Sequence, residues 1–153
     1  MPSLSLSNSL SNARGSKRAQ MIINEPFSAA TSDDDWASYN SAIISHNASG
    51  YIVVQASGGG DGGAAMEFSC IPSSEYNINA VLTVIVGGSG DARIKVGTSA
   101  GNNAIGNFTV SRSGGTIDED FTVGNRTSFW VTLITDGPGE QAFWDSLVIE
   151  ETG

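Results

Sequence analysis

Hydrophobic and polar residues alternate along short segments of this chain, and no helical periodicity lasts beyond about two turns. In the segment 92–96, apolar residues occupy every second position, and Arg93 and Lys95 lie between them. This alternation predicts a strand with one face toward a core and the other toward solvent. Further segments predicted as strands, each bounded by Gly, Asn, Asp or Pro, are 21–23, 41–45, 51–56, 64–71, 76–86, 105–110, 116–123, 128–135 and 142–150.

The segment 128–135 shows its two faces clearly. Phe129, Val131 and Leu133 fall on one face, and Trp130 and Thr132 fall on the other. The three apolar residues predict the core face, so we expect the Trp130 indole on the outer surface. An exposed indole is either a platform that stacks on a sugar or part of a contact with the arm or another subunit.

The composition is typical of one glycine-rich β domain, which we place at residues 20–153. Glycine accounts for 19 of 153 residues and only 15% of residues are charged, which favours short strands with tight turns over long helices. The hydrophobic fraction of 39% is enough for a folded core. No apolar run reaches the roughly 18 residues that a membrane-spanning helix needs.

Residues 1–19 differ from the rest and are predicted to form an extended N-terminal arm. The segment is rich in Ser and Asn, and it lacks the apolar block of a secretory signal, so we expect release by cell lysis. The arm is either disordered when free or able to add a strand to a partner's sheet edge. The residues expected to anchor it are Leu4, Leu6, Leu10, Arg14, Lys17 and Arg18.

The charge is divided unevenly along the chain. Residues 1–20 carry three basic groups and no acid, whereas the other 133 residues carry four basic groups against 16 acids, a formal charge of −12. An acidic body repels nucleic acid and anionic membrane, so neither is expected as a partner.

Residues that commonly carry catalysis are scarce. His46 is the only histidine and lies in a Gly/Asn/Ser turn with no nucleophile beside it. Cys70 is the only cysteine and is expected as a small buried residue on the core face of its strand. A glycosidase-like carboxylate pair stays open by number alone, but the acidic runs 33–35 and 118–120 lie in turn-rich surface contexts. We therefore expect a protein that is not an enzyme.

Motifs at the two ends of the domain resemble those of carbohydrate-binding modules with a jelly-roll fold. The first strand reads N-x-x-F-S over residues 24–28, and Trp36 follows it. The last strand reads aromatic-x-D-x-L-x-I over residues 143–149. The resemblance covers roughly residues 22–151 and implies an all-β jelly-roll sandwich of two antiparallel sheets, preceded by the arm.

Three internal motifs extend this resemblance. Gly50–Val54 and Glu75–Val81 are similar to inner strands of the same family. The segment Val96–Asn102, which reads V-G-T-S-A-G-N, resembles a hairpin of jelly-roll domains in bacteriophage structural proteins.

The resemblance implies two kinds of site. In such modules, oxygens of the first and last strands often hold a structural calcium, and the matching residues are Glu25 and Asp145; no other cofactor is implied. Alternatively, Asp145 only accepts hydrogen bonds from a neighbouring loop. Sugar binding uses exposed aromatic side chains, and the candidates for a ligand or subunit contact are Trp36, Tyr39, Tyr51 and Trp130.

These features favour a non-enzymatic structural protein of a bacteriophage virion. A capsid decoration (cement) protein is the first interpretation, with a tail fibre or accessory protein close behind. The expected partners are the major capsid or tail protein of the same virion, further copies in a trimer, and surface glycans. The protein would lie on the virion surface after assembly in the bacterial host cytoplasm. The alternative is a carbohydrate-binding module or adhesin domain.

Deletion of residues 1–18 tests the role of the arm. Because the arm contributes few apolar groups, the melting temperature of the domain should stay nearly unchanged while incorporation into particles is lost. Full occupancy of particles by the truncated protein would contradict anchoring through the arm.

Overall fold

The computed structural model describes residues 21–25, 35–58 and 60–153, which form eleven β-strands. Within these ranges no helix is long and apolar enough to cross a bilayer. The strands are β1 (Met21–Glu25), β2 (Ala37–Tyr39), β3 (Ile43–His46), β4 (Ile52–Gln55), β5 (Gly62–Ser69), β6 (Glu75–Val86), β7 (Ala92–Gly97), β8 (Gly106–Val110), β9 (Gly115–Thr122), β10 (Ser128–Thr135) and β11 (Gln141–Glu151).

The strands form two antiparallel sheets that pack as a sandwich, which confirms the predicted fold class. Sheet 1 has the order β3-β4-β11-β6-β9, and β1 pairs with the far half of β11 beyond β4. Sheet 2 has the order β2-β5-β10-β7-β8. The sequence pattern missed β2, because three residues are too few to show an alternation.

A β-bulge divides the central strand β11 into two halves. Trp144 and Leu147 are both fully buried although they are three residues apart, and the register with β6 shifts on either side of Trp144. An extra residue in one strand produces this shift, and here Asp145 is exposed at the bulge. Phe143 precedes the buried Trp144 and therefore lies on the outer face of sheet 1, only half-buried.

The core between the sheets is organised around the ring of Phe129 on β10. Its centroid lies 5.7 Å from Phe68, 5.7 Å from Tyr76 and 5.3 Å from Phe121. Phe68 belongs to sheet 2, whereas Tyr76 and Phe121 belong to sheet 1, so this ring joins the two layers. Aromatic pairs at these separations contribute packing energy beyond their buried area.

A buried carboxylate fastens the loops at one end of the sandwich. Glu140 is 1% exposed, and its two carboxylate oxygens accept hydrogen bonds from the N–H groups of Gly90 at 2.7 Å and Gly137 at 3.0 Å. The Arg112 guanidinium lies 3.8 Å away. A Cβ at Gly88 or Gly137 would overlap this carboxyl group, so glycine is required on both sides of it.

Replacement of Glu140 tests this arrangement. Glu140→Ala should lower the free energy of unfolding by about 2–4 kcal/mol, because two buried N–H groups lose their acceptor. Glu140→Gln should cost less, because the amide oxygen can still accept one of these bonds. Glu119→Ala, at an exposed position of β9, should change stability by less than about 0.5 kcal/mol and serves as the control. Equal urea midpoints for Glu140→Ala and Glu119→Ala would show that the loops do not need the Glu140 carboxylate for their stability.

Candidate functional site

Trp130 lies on the outer face of sheet 2, as the alternation along β10 predicts. Its neighbours Phe129 and Val131 are 0% exposed in the core, whereas Trp130 is only half-buried. In the sheet, Trp130 pairs with Glu67 of β5 on one side and Gly97 of β7 on the other. The indole is therefore flanked by a carboxylate and by a residue without a side chain.

An open depression lies at the end of sheet 2, two residues from Trp130 along β10 and one residue beyond Gly97, the β7 partner of Trp130. Its volume is about 310 Å³, and Ser128 at its edge shares the outer face of β10 with Trp130. The Ser128 hydroxyl donates a hydrogen bond to Glu67 Oε1 at 2.7 Å. The lining residues are Thr98, Asn125, Arg126, Thr127 and Ser128. Each of these side chains carries a hydroxyl, amide or guanidinium group and none carries a carboxylate.

The turn that lines this depression is held in place by the connection between β5 and β6. Cys70 N–H donates to the Thr127 carbonyl at 2.9 Å, and Ser73 N–H donates to the Gly124 carbonyl. The Ser73 hydroxyl also donates to Asn125 Oδ1 at 3.2 Å, which leaves the Asn125 amide N–H groups for other partners. Several bonds fix the turn, so its polar groups are preorganised.

Arg126 places a positive charge at this turn. Its Nη1 donates to the Val123 carbonyl at 3.0 Å, and no carboxylate among the described residues lies within ion-pair distance of its guanidinium. Burial raises the pKa of the nearby Cys70 thiol, and the positive charge of Arg126 offsets part of this rise. Cys70 lies just after the end of β5 and packs against the core, as predicted, but it is half-buried and not the fully buried strand residue that the sequence led us to expect.

The middle of the same face is closed by the loop 98–104 between β7 and β8. Gly101 N–H donates to Thr132 Oγ1 at 2.8 Å, and Thr132 is 0% exposed although it lies on the outer face. Asn102 Oδ1 accepts bonds from the backbone N–H groups of Thr98 and Ala104, which folds the loop back over the sheet. A Cβ at Gly101 would overlap the ring of Tyr39, so the loop and this ring are in close contact.

Ion pairs occupy the remaining basic residues of this face. Arg93 Nε donates to Asp136 Oδ1 at 2.9 Å, and Lys95 Nζ lies 3.5 Å from Asp61 Oδ2. Both basic side chains were expected to point to solvent, and they do lie on the outer face. Their charges are nevertheless paired within the protein.

The structure separates the four aromatic candidates. Trp36 is 5% exposed and packs edge-on against Phe68 at 6.5 Å in the core, so the expectation of an exposed Trp36 indole is wrong. Tyr39 lies against the loop 98–104. Tyr51 packs edge-on against Phe143 at 6.2 Å on sheet 1. None of the four lines the depression, and Trp130 is the one that shares a strand face with a lining residue, Ser128.

The two residues of the predicted calcium site, Glu25 and Asp145, belong to the paired strands β1 and β11. The backbone of Glu25 pairs with Leu147, two residues from Asp145, but the side chain of Glu25 lies outside the described part of the chain. Within that part, no group of three or more His, Cys, Asp or Glu residues could hold a metal ion. Calcium takes six to eight oxygens, so Asp145 alone does not make a site. The anchoring residues of the arm, 1–19, also lie outside the described part.

Comparison with solved structures establishes the fold. No family model matches the sequence, and a search among curated proteins finds no match. The CBM22-1 xylan-binding domain of Paenibacillus barcinonensis Xyn10C superposes with a TM-score of 0.66 at 10% identity, over 90% of this chain and 97% of that domain. A CBM6 module from Cellvibrio mixtus lichenase 5A in complex with cellotriose gives a TM-score of 0.54 at 12% identity, over 88% of this chain and 100% of that module.

A third structure, TmCBM61 in complex with β-1,4-galactotriose, gives a TM-score of 0.58 at 12% identity, over 87% of this chain and 99% of that one. The chain has the jelly-roll fold of carbohydrate-binding modules. Likeness at such low identity shows the fold, and it does not transfer the ligands of these proteins to this chain.

Two tryptophans allow a matched test of the site's geometry. Trp130→Ala should cost about 1–2 kcal/mol of unfolding free energy, because part of the indole is already in solvent. Trp144→Ala empties a fully buried site and should cost roughly 3–5 kcal/mol. Urea denaturation of both variants measures the difference. If Trp130→Ala is the more damaging change, the assigned phase of β10 is wrong.

Proposed function

We propose that this protein is a non-catalytic glycan-binding domain whose site is Trp130 with the adjoining depression. The observation that carries the proposal is a half-buried indole on the outer face of the sheet, two residues along β10 from Ser128 at the edge of a depression lined only by hydrogen-bonding side chains. Small-ligand sites combine apolar or aromatic surface with a few fixed polar groups, and here the indole supplies the first and the turn supplies the second.

The chemistry of the site suits a sugar. A pyranose ring has an apolar C–H face that packs on an aromatic ring, and its rim of hydroxyls both donates and accepts hydrogen bonds. Glu67 supplies an acceptor beside Trp130, while Asn125 and Arg126 supply donors across the depression. The side chains come from two strands and one fixed turn, so little conformational entropy is lost on binding.

The structural neighbours support this class of ligand. They are a xylan-binding domain and two modules in complex with cellotriose and with β-1,4-galactotriose. All three ligands are glycans, two of them short oligosaccharides. The likeness supports a glycan as the class of ligand for this chain. The choice of Trp130 as the site follows from the surroundings of Trp130 itself.

The loop 98–104 limits the length of ligand that this face can bind. It covers Thr132 in the middle of the sheet, and the ion pairs of Arg93 and Lys95 lie beyond it. The open part is about 310 Å³, near the lower end of small-molecule sites. We therefore infer a site for about two or three sugar rings, such as a chain end or a side branch.

A binding role fits the site better than catalysis. Glycoside hydrolysis usually needs two carboxylates placed roughly 5–10 Å apart across the scissile bond. No carboxylate of the described residues lines the depression, and Glu67, which pairs with Trp130 across the sheet, accepts a hydrogen bond from Ser128. An acid–base pair is not assembled there.

The role on a bacteriophage virion stays a prediction from sequence, together with the trimer and the capsid or tail partner. The hairpin Val96–Asn102 has a local structural explanation, because Gly97, Gly101 and Asn102 form the loop that folds over sheet 2. The geometry of this loop is sufficient to explain the residues of the motif. Glycan binding is compatible with a virion surface, where it would serve attachment to a host.

Titration with a panel of β-linked oligosaccharides of one to six rings tests the proposal. Binding measured by calorimetry should strengthen up to about three rings and then level off, because the loop blocks further contacts. Trp130→Ala should weaken binding at least about tenfold, the equivalent of 1.4 kcal/mol.

Phe143→Ala is the matched control, since Phe143 is a half-buried aromatic on the outer face of the other sheet. It should leave binding unchanged. Loss of binding in Phe143→Ala but not in Trp130→Ala would move the site to sheet 1. Absence of binding to every glycan in the panel would overturn the proposed function.

A further inference from the structure

We propose that the site selects acidic glycans, with the carboxylate of a uronic acid bound by Arg126 while a neighbouring ring stacks on Trp130. This inference rests on the proposed function and names the class of glycan. It follows from the distribution of charge around the depression.

The basic side chains of the described residues are nearly all paired with acids. Arg93 binds Asp136, Lys95 lies 3.5 Å from Asp61, and Arg112 lies 3.8 Å from Glu140. Arg126 is the one cation of the described ranges without such a partner. The chain has 16 acidic and seven basic residues, so most basic side chains have an acidic side chain nearby with which to form an ion pair. A basic side chain without an acidic partner therefore needs surroundings that lack carboxylates.

The lining of the depression supplies that separation. Thr98, Asn125, Thr127 and Ser128 surround Arg126, and all four carry neutral side chains. Glu67 of the neighbouring strand β5 accepts the Ser128 hydroxyl and pairs with Trp130 instead. The depression is thus a patch of donors with one positive charge, set in a negatively charged surface.

The guanidinium is held in position to bind an anion. Its Nη1 is anchored to the Val123 carbonyl at 3.0 Å, and the turn that carries it is fixed to the connection between β5 and β6. One of the five N–H donors is used in this bond, so the others can form the parallel bonds that a carboxylate accepts. The free amide N–H groups of Asn125 add a second donor.

The net charge of the body does not prevent this contact. The formal charge of −12 on residues 21–153 is spread over the surface, and at 0.15 M salt the Debye length is about 8 Å. Repulsion from distant acids is therefore screened, while the ion pair at contact distance is not. We expect the preference for acidic glycans to be larger at physiological salt than at very low salt, where the distant acids act.

Two pairs of ligands with the same backbone linkage test the inference. The first pair is linear β-1,4-xylooligosaccharides with and without one glucuronic acid branch, and the second is β-1,4-linked oligoglucose and oligoglucuronic acid of three rings. The wild-type protein should bind the acidic member of at least one pair about tenfold more tightly, the equivalent of 1.4 kcal/mol. Arg126→Gln should reduce this ratio to near one, and Arg126→Lys should restore part of it, because lysine keeps the charge but not the planar fork.

Ser45→Asp is the matched control. It makes the same change in net charge at an exposed position of β3 on the other sheet, where its cross-strand partner is the uncharged Val53, so it should leave the ratio unchanged. Melting curves of the Arg126 variants and of the Ser45 control should coincide with that of the wild-type protein, since the Arg126 guanidinium makes one hydrogen bond within the protein and Ser45 is exposed.

The outcomes separate this inference from the proposed function. Equal affinity for neutral and acidic glycans, with binding still lost in Trp130→Ala, would overturn the acidic preference and leave the glycan site intact. An equal loss for both kinds of ligand in Arg126→Gln would make Arg126 a donor to hydroxyls and would also overturn it. Absence of binding to all four ligands would overturn both.

Discussion

The packing of Phe129 between the two sheets is the constraint on which the site depends. This ring meets Phe68 in its own sheet and Tyr76 and Phe121 in the other, so β10 cannot rotate or slip by one residue without emptying the centre of the core. Because side chains alternate along a strand, burying Phe129 puts Trp130 on the outer face. The position of the indole is thus a consequence of core packing. The backbone that carries Trp130 is therefore fixed by the core, which is the preorganisation that the proposed stacking on a sugar ring requires.

Sequence patterns predicted the features that depend on alternation within one strand. They missed the features that depend on contacts between residues far apart in the sequence. The faces of β7 and β10 follow from alternation within one strand, and both are confirmed. Trp36 lies beside a strand of three residues, so no alternation marks its indole as buried. The closing of the sheet 2 face by the loop 98–104 depends on contacts from Gly101 to Thr132 and Tyr39, which are far apart in sequence. The depression combines residues of two loops, and only Trp130 beside it had a signal in the sequence.

Polar groups at the two ends of the sandwich are used in different ways. At one end, the buried Glu140 carboxylate accepts hydrogen bonds from two backbone N–H groups and lies near Arg112. These interactions link three loops and leave the carboxylate inaccessible to a ligand. At the other end, the backbone carbonyls of the turn 124–127 accept hydrogen bonds from the backbone N–H groups of Cys70 and Ser73, and these bonds fix the turn. Backbone bonds leave side chains free, whereas a buried ion pair does not. The second end can therefore present Asn125 and Arg126 outward without loss of stability.

The fold alone does not select among binding, adhesive and structural roles, because one sandwich serves all of them. What distinguishes this chain is which part of an outer face remains open. The loop over Thr132, the ring of Tyr39 against it and the ion pairs of Arg93 and Lys95 occupy the middle of sheet 2. The outer face stays exposed at Asn107 and Thr109 of β8, but the end of the sheet with Trp130 combines a half-buried indole with the polar depression. This combination of an aromatic ring and fixed polar groups is the reason for placing the proposed glycan site at that end.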